Sequence, residues 1–208
     1  MKPYMFLLLL GIHKVVTVYH SLKYFYTASS GVSHFPEFVA VVLVDDIEIL
    51  RYDSKITKAT PKQDWVIRVE QDHPLFLQNS TESFRVAEEV YKKNIDIAKQ
   101  RFNKTEGTHI LQMMTGCEWD ESDGITYGNL QFGYDGEDFI AFDLRTERWI
   151  TSRPQAHSTR AKWDRDQEDR AYRKKYLTQT CVEWLRTYLM YGKSVLMRTG
   201  TGTLWTLS

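Results

Sequence analysis

The sequence is short of net charge, of cysteine and of long apolar runs. Lysine plus arginine and aspartate plus glutamate each number 27, so the formal net charge is zero. A nucleic-acid binder carries a basic excess that neutralises phosphates, and this chain has none. Its basic cluster, Arg170, Arg173, Lys174 and Lys175, is interleaved with Asp164, Asp166, Glu168 and Asp169. That pattern reads as a solvated helix face rather than a polyanion site. No apolar stretch reaches the ~20 residues that span a bilayer. His20, His34, His73, His109 and His157 have no metal-ligand spacing with cysteine or with one another. There is no glycine-rich phosphate loop, since GTGT (200–203) follows no strand. No nucleophile–base pair stands out, so an enzyme is the least favoured class and no cofactor or metal is expected. What remains is an ordinary globular composition in 208 residues, enough for one sizeable core or two small ones.

The N-terminus departs from that composition. MKPYMFLLLLGIHKVVT has a lysine at position 2, then an apolar run from Met5 to Ile12 that is too short to cross a membrane. It has the length of a signal-peptide core, with Val15 and Thr17 small enough for the cleavage positions, so residues 1–17 read as a leader. A buried first strand is the bland alternative. Two sequons, Asn79-Ser80-Thr81 and Asn103-Lys104-Thr105, agree with a secretory route. In an oxidising compartment the only two cysteines, Cys117 and Cys181, pair, and the long loop they close is worth roughly 4 kcal/mol. Two unpaired buried thiols are the alternative.

Along the chain the hydrophobic period switches twice. SLKYFYTAS (21–29), FVAVVLVDD (38–46), IEILRYDS (47–54) and a short piece near 58–60 read as four strands in a meander. Phe84, Ala87, Glu88, Tyr91, Ile95, Ala98 and Phe102 then keep one side of a helix, entered irregularly after Pro74 and ending near Asn103 and Gly107. The order repeats. THILQMMTGCEWD (108–120) alternates, ITYGNLQFGYDGEDFIAFDL (125–144) is a strand pair around the Asp135-Gly136 turn, and Arg148–Ile150 is a short fourth strand. A helical region from about 154 to 191 follows, with Leu177, Cys181, Trp184, Leu185 and Tyr188 in phase. Four strands and a helix, twice over, can join edge to edge. The fold class is therefore α+β, an eight-stranded antiparallel sheet with both helices on one face. Cys117 on the floor would bridge to Cys181 on the helix above it.

These words resemble the peptide-binding platform of major histocompatibility complex (MHC) class I heavy chains. The resemblance rests on HSLKYFYT (20–27), FVAVVLVDD, RYDS (51–54), GCEWD (116–120), YDGEDFIAFD (134–143), KWD (162–164) and CVEWLRTYL (181–189), and covers about 18–198. NIDIAKQRFN and FYTASSGV are similar to bony-fish members. The resemblance implies an alpha-1 half over 18–106, an alpha-2 half over 107–198 and a truncated or atypical tail over 199–208. After LMRTG the family continues into an immunoglobulin-like domain and a membrane helix. RFNKT (101–105) matches the family's glycosylated asparagine at Asn103.

The resemblance also assigns a groove. Tyr24, Tyr176 and Tyr188 would hold a peptide's ammonium end with their hydroxyls, and Trp184 would close the trench. Tyr176 and Tyr188 are about 3.3 turns apart, nearly one helix face. Thr159, Lys162 and Trp163 would hold the carboxylate end with a hydroxyl, an ammonium and an indole N–H. Two positions depart from the mammalian pattern. Arg101 replaces a tyrosine and can pair with a carboxylate itself or let the ligand's end extend outward. Phe76 replaces a fourth ammonium-end tyrosine, a loss of roughly 1 kcal/mol of hydrogen bonding, and Leu77 replaces the tryptophan that follows it. Tyr26, Leu111, Met113, Thr115, Leu130 and Phe132 alternate onto the floor, and Ile97, Ala98, Leu111, Phe132 and Phe139 would line an apolar pocket for the ligand's last side chain. Plain helix–sheet core is the alternative for that set. On the sheet's underside, which carries Phe25 and Leu43, the family docks beta-2-microglobulin, with Gln112, Gly136 and Asp138 at its usual contacts.

The expectation is a secretory-pathway protein, cell-surface if a membrane helix follows, that presents short peptides to T-cell receptors. The alternative is a nonclassical member with an empty or lipid-filled groove that acts as an immune-receptor ligand.

Overall fold

The structure, a computed structural model, describes residues 19–199, with side chains described to residue 196. The leader expected at 1–17 and nearly all of the tail expected at 199–208 lie outside the described residues.

Strand β1 (Tyr19–Ser30) puts Tyr24, Tyr26 and Ala28 on one face and Phe25 and Thr27 on the other. β2 (Phe38–Val44) and β3 (Ile47–Asp53) are joined by Asp45 and Asp46, both with positive φ (47° and 64°). β4 (Thr60–Pro61) ends the first meander. β5 (His109–Asp120), β6 (Thr126–Tyr134), β7 (Glu137–Asp143) and β8 (Arg148–Ile150) repeat it, with Asp135 and Gly136 as the positive-φ pair (51° and 81°). Positive φ at both central residues is the two-residue hairpin turn whose twist matches the strands. The second strand of each hairpin also carries one extra residue, Ile49 and Phe139 respectively.

The two meanders share one eight-stranded antiparallel sheet, ordered β4-β3-β2-β1-β5-β6-β7-β8. Its seam is β1 against β5, in register from Tyr19↔Asp120 to Ser30↔His109. Gly116 makes the seam possible: a Cβ there would sit 2.0 Å from the Leu22 carbonyl oxygen. A histidine–aspartate clasp pins each half. His20 Nδ1 lies 2.7 Å from Asp45 Oδ2, and Ser21 N donates to Asp45 Oδ1. His109 Nδ1 lies 2.9 Å from Asp135 Oδ2, and Ile110 N donates to Asp135 Oδ1.

The helices cover one face. Helix α1 (Asp64–Asp72) is a finding beyond the sequence reading, seated by Trp65, Val66 and Val69. Helix α2 (Phe76–Arg101) starts after Leu75, which has a left-handed φ of 72°. Its first turn lacks a side-chain cap at that residue; Glu70 of α1 instead accepts from Leu77 N at 2.7 Å. The single helical region expected over 154–191 is corrected to several pieces: a 3₁₀ turn (Pro154–Ala156), α3 (His157–Trp163), α4 (Gln167–Lys175), a π-turn (Tyr176–Thr180) and α5 (Cys181–Thr199). The break before α4 has a cause. Asp166 caps α4 by accepting from Asp169 N, and Asp164 accepts from Trp149 N, tying the break to β8.

Leu22, Val42, Trp149, Leu177, Leu185 and their neighbours form one core between sheet and helices. The disulfide Cys117–Cys181 runs through it, with Cα atoms 6.0 Å apart and both residues buried. It fastens the start of α5 to the floor, directly after the π-turn.

Candidate functional site: a trench between two helical walls

The walls and floor enclose a trench of about 1100 Å³. α1 and α2 form one wall, and α3, α4, the π-turn and α5 form the other.

One end is aromatic. Tyr24 rises from β1, Tyr176 descends from the π-turn and Tyr188 from α5, and all three line the trench. Their hydroxyls interact, Tyr24 with both of the others. Burial first, and for Tyr24 then the neighbouring phenols, pushes each pKa above the ordinary phenol value, so the cluster is neutral. It offers donors and acceptors together. Trp184 stacks on Tyr188 at 5.6 Å and meets Phe76 at 5.5 Å and His73 at 5.6 Å. Phe76 is buried in this plug against Tyr188 and brings no hydroxyl to it. Leu77 is partly buried against the core. Beyond the plug, the Tyr191 hydroxyl donates to Asp72 and Arg68 donates to the Tyr191 carbonyl, so α1 and α5 are laced together.

The other end is cationic above and apolar below. Ile97, Ala98, Leu111, Phe132 and Phe139 line a cavity of about 110 Å³, with Arg101, Thr159, Lys162 and Trp163 also around it. Phe139 reaches it because it is the extra residue of the β7 bulge. Arg101 Nη1 donates to Thr159 Oγ1, bridging α2 and α3 across the end. Lys162 is exposed and makes no ion pair or hydrogen bond among the described residues. Trp163 lies against Trp149 at 4.5 Å and Phe132 at 5.4 Å.

Between the ends, Tyr26, Met113, Thr115, Leu130 and Phe132 form the floor. Tyr26 meets Phe84 and Tyr91 of α2 edge-on, at 5.9 and 5.7 Å. The structure thus brings together every groove residue expected from the sequence, and it adds some. Ser80, Phe84, Tyr91 and Asn94 of α2 face the trench, as do Asp169, Tyr172 and Arg173 of α4. The reading of Asp169 and Arg173 as part of a solvated face is corrected: both side chains are about 30 % exposed and pair with each other at 2.6 Å. The signal was present, since the helical phase that turns Tyr176 inward also turns 169, 172 and 173 inward.

The two sequons differ in setting. Asn103 sits exposed with φ 53° just past α2, whereas Asn79 is on α2 and lines the trench. A glycan on Asn79 would stand in the trench; one on Asn103 would leave it open.

On the opposite face of the sheet, Phe25 is 37 % exposed, and Gln112, Gly136 and Asp138 are exposed nearby or at the β6–β7 turn. No helix among the described residues is long and apolar enough to cross a membrane.

Comparison with known proteins agrees with this architecture. The family described as Class I Histocompatibility antigen, domains alpha 1 and 2, matches residues 18–196. The chain is 36% identical over 181 residues to mouse Major histocompatibility complex class I-related protein 1, covering 86% of this chain and 52% of that protein. It is 35% identical over 181 residues to chicken Class I histocompatibility antigen, F10 alpha chain, covering 86% and 51%. It is 35% identical over 185 residues to mouse H-2 class I histocompatibility antigen, K-D alpha chain, covering 86% and 49%. The chain spans about half the length of these relatives.

Proposed function

This chain belongs to the MHC class I family, and from that premise we propose that its trench holds a short peptide by both ends and displays it to a T-cell receptor or a related immune receptor. The observation that carries the reading is the unpartnered Lys162 ammonium. It stands beside Thr159, Trp163 and Arg101, over an apolar cavity. A free carboxylate whose last side chain is apolar satisfies both parts of that site. At the far end, the neutral phenols of Tyr24, Tyr176 and Tyr188 accept from an ammonium group and donate to the adjoining backbone. The Arg101–Thr159 bridge favours a ligand that stops inside the trench over one that runs out past Arg101.

Beta-2-microglobulin takes the underside in this reading, against Phe25, Gln112, Gly136 and Asp138. An exposed aromatic on a sheet face is better covered than solvated. Entry to the secretory pathway through the leader at 1–17, a glycan on Asn103 and display at the cell surface complete the proposal. No catalytic step is part of it.

A second reading has its own support. Phe76 fills the ammonium end with a ring instead of a hydroxyl. That suits a nonclassical protein whose groove is empty or lipid-filled and whose outer surface is an immune-receptor ligand.

The test is co-expression of the chain with beta-2-microglobulin, acid elution of the purified complex and sequencing of the eluate by mass spectrometry. Short peptides sharing an apolar C-terminal residue are expected, with recovery falling sharply for Lys162→Ala. A folded, stable complex that yields no peptide overturns the first reading in favour of the second.

A further inference from the structure

Asn79 is the acceptor of a sequon that the trench itself does not use. It lies one turn into α2, and its backbone N–H donates to the Leu75 carbonyl at 2.7 Å, so the helix holds it in place. The side-chain amide is exposed, lines the trench and has no hydrogen-bond partner among the described residues. Beside it on the lining are His73 and Phe76, which meet the Trp184 ring at 5.6 and 5.5 Å. A group attached to Asn79 therefore stands at the rim of the aromatic end.

Thr81 completes the sequon and has a second task. Its hydroxyl accepts from Ala59 N at 3.0 Å and donates to the Leu77 carbonyl at 2.7 Å, tying α2 to the buried residue just before β4. A sequon needs that hydroxyl for its own asparagine amide during sugar transfer. Once the helix has closed, both the proton and a lone pair are spent, so transfer to Asn79 precedes the packing of α2. Asn103 is under no such constraint: it lies past the helix, and Thr105 is exposed with no partner among the described residues.

We infer that Asn79 carries an N-linked glycan, attached before α2 closes, that covers the aromatic end of the trench. In the transfer, the Asn79 amide nitrogen bonds to the anomeric carbon of a lipid-linked oligosaccharyl diphosphate. The carbon–oxygen bond to the diphosphate breaks, the amide gives up one proton and the lipid diphosphate leaves. A glycan is bulky and solvated, so it stays over the mouth and does not enter the packed floor. The cationic end, with Lys162, is left open to a receptor. The inference rests on the secretory route proposed above and not on the identity of the trench's ligand.

The experiment uses the complex with beta-2-microglobulin made in animal cells. Enzymatic deglycosylation in heavy-oxygen water turns each glycosylated asparagine into a mass-labelled aspartate, and label is expected at both 79 and 103. Diethyl pyrocarbonate then probes access by acylating exposed imidazoles, His73 at the aromatic end and His157 on α3. In Asn79→Gln, His73 should react severalfold faster than in the wild type, with His157 unchanged. Trimming the wild-type glycan enzymatically gives the same comparison without a substitution. Label at 103 but not at 79 overturns this inference and leaves the secretory route standing; label at neither overturns both. Label at 79 with equal His73 rates before and after removal of the glycan overturns the cover.

Discussion

The two halves of the sheet are built alike and roofed differently. Each has a histidine–aspartate clasp, a two-residue turn with positive φ and a one-residue bulge in the following strand. Above the first half, α2 runs unbroken for 26 residues with no covalent tie. Above the second, the wall is broken before α4, loosened by a π-turn and then bolted to the floor by Cys117–Cys181. Cys117 is eight residues after His109; eight residues after His20 stands the buried Ala28. One strand frame thus carries either a wall whose long helix has no covalent tie or a more broken wall that has one. The irregularity has a use, because the π-turn carries Tyr176 to the aromatic end.

The largest test of this contrast removes the staple. Cys117→Ala/Cys181→Ala should cost roughly 4 kcal/mol, and hydrogen exchange should show α5 losing protection well before α2. Equal loss in both helices would mean that the walls are not independent. Next are the clasps. His109 is buried, and its Nε2 also meets the Glu106 carbonyl at 3.0 Å, whereas His20 is partly exposed. His109→Ala should cost about 2–3 kcal/mol and His20→Ala about 1 kcal/mol by denaturant titration; the reverse order breaks the comparison.

A third test uses alkali on the phenol cluster that the halves share. The folded-state pKa values of Tyr24, Tyr176 and Tyr188 are raised above 10.0, so the fold favours their neutral forms. That stability is fully present below pH 10 and is lost as pH rises from there through the raised values. The melting temperature should fall steeply above pH 10, and Tyr176→Phe/Tyr188→Phe should flatten the fall. An unchanged slope would place the loss on other tyrosines, among them Tyr26 and Tyr91 of the trench, whose pKa values burial also raises. The smallest effects are at the turns. Gly136→Ala should cost about 1 kcal/mol, because alanine disfavours the left-handed region. Asp46→Gly relieves the same strain but gives up the exposed Lys23–Asp46 pair, so its net effect should stay within about 0.5 kcal/mol.

The strand frame was legible because alternation in FVAVVLV and the Asp135-Gly136 turn are local signals. The disulfide was legible because there are only two cysteines. Helix α1 was not: nine residues give barely two turns of periodicity, and its seat is the distant α5, where Gly192 admits the Trp65 ring. The breaks in the second wall depend on Asp164 and Asp166 choosing backbone partners, which composition alone does not reveal. At the site, the residues expected from the family resemblance line the two ends of the trench. The mid-trench pair was hidden because Asp169 and Arg173, four apart, look the same on a solvated helix as on a wall.

The seam between β1 and β5 has a consequence for synthesis. Tyr19 emerges early, and its partner Asp120 follows roughly a hundred residues later, so the central pairing is the longest-range contact in the sheet and among the slowest to close. Until β5 arrives, a chain that has made only its first meander holds β1 as a bare edge. Another copy in the same state presents the same edge, and pairing between them competes with the correct closure. The trench floor is therefore a matter of timing as much as of sequence: the chain must reach Asp120 before it meets its twin.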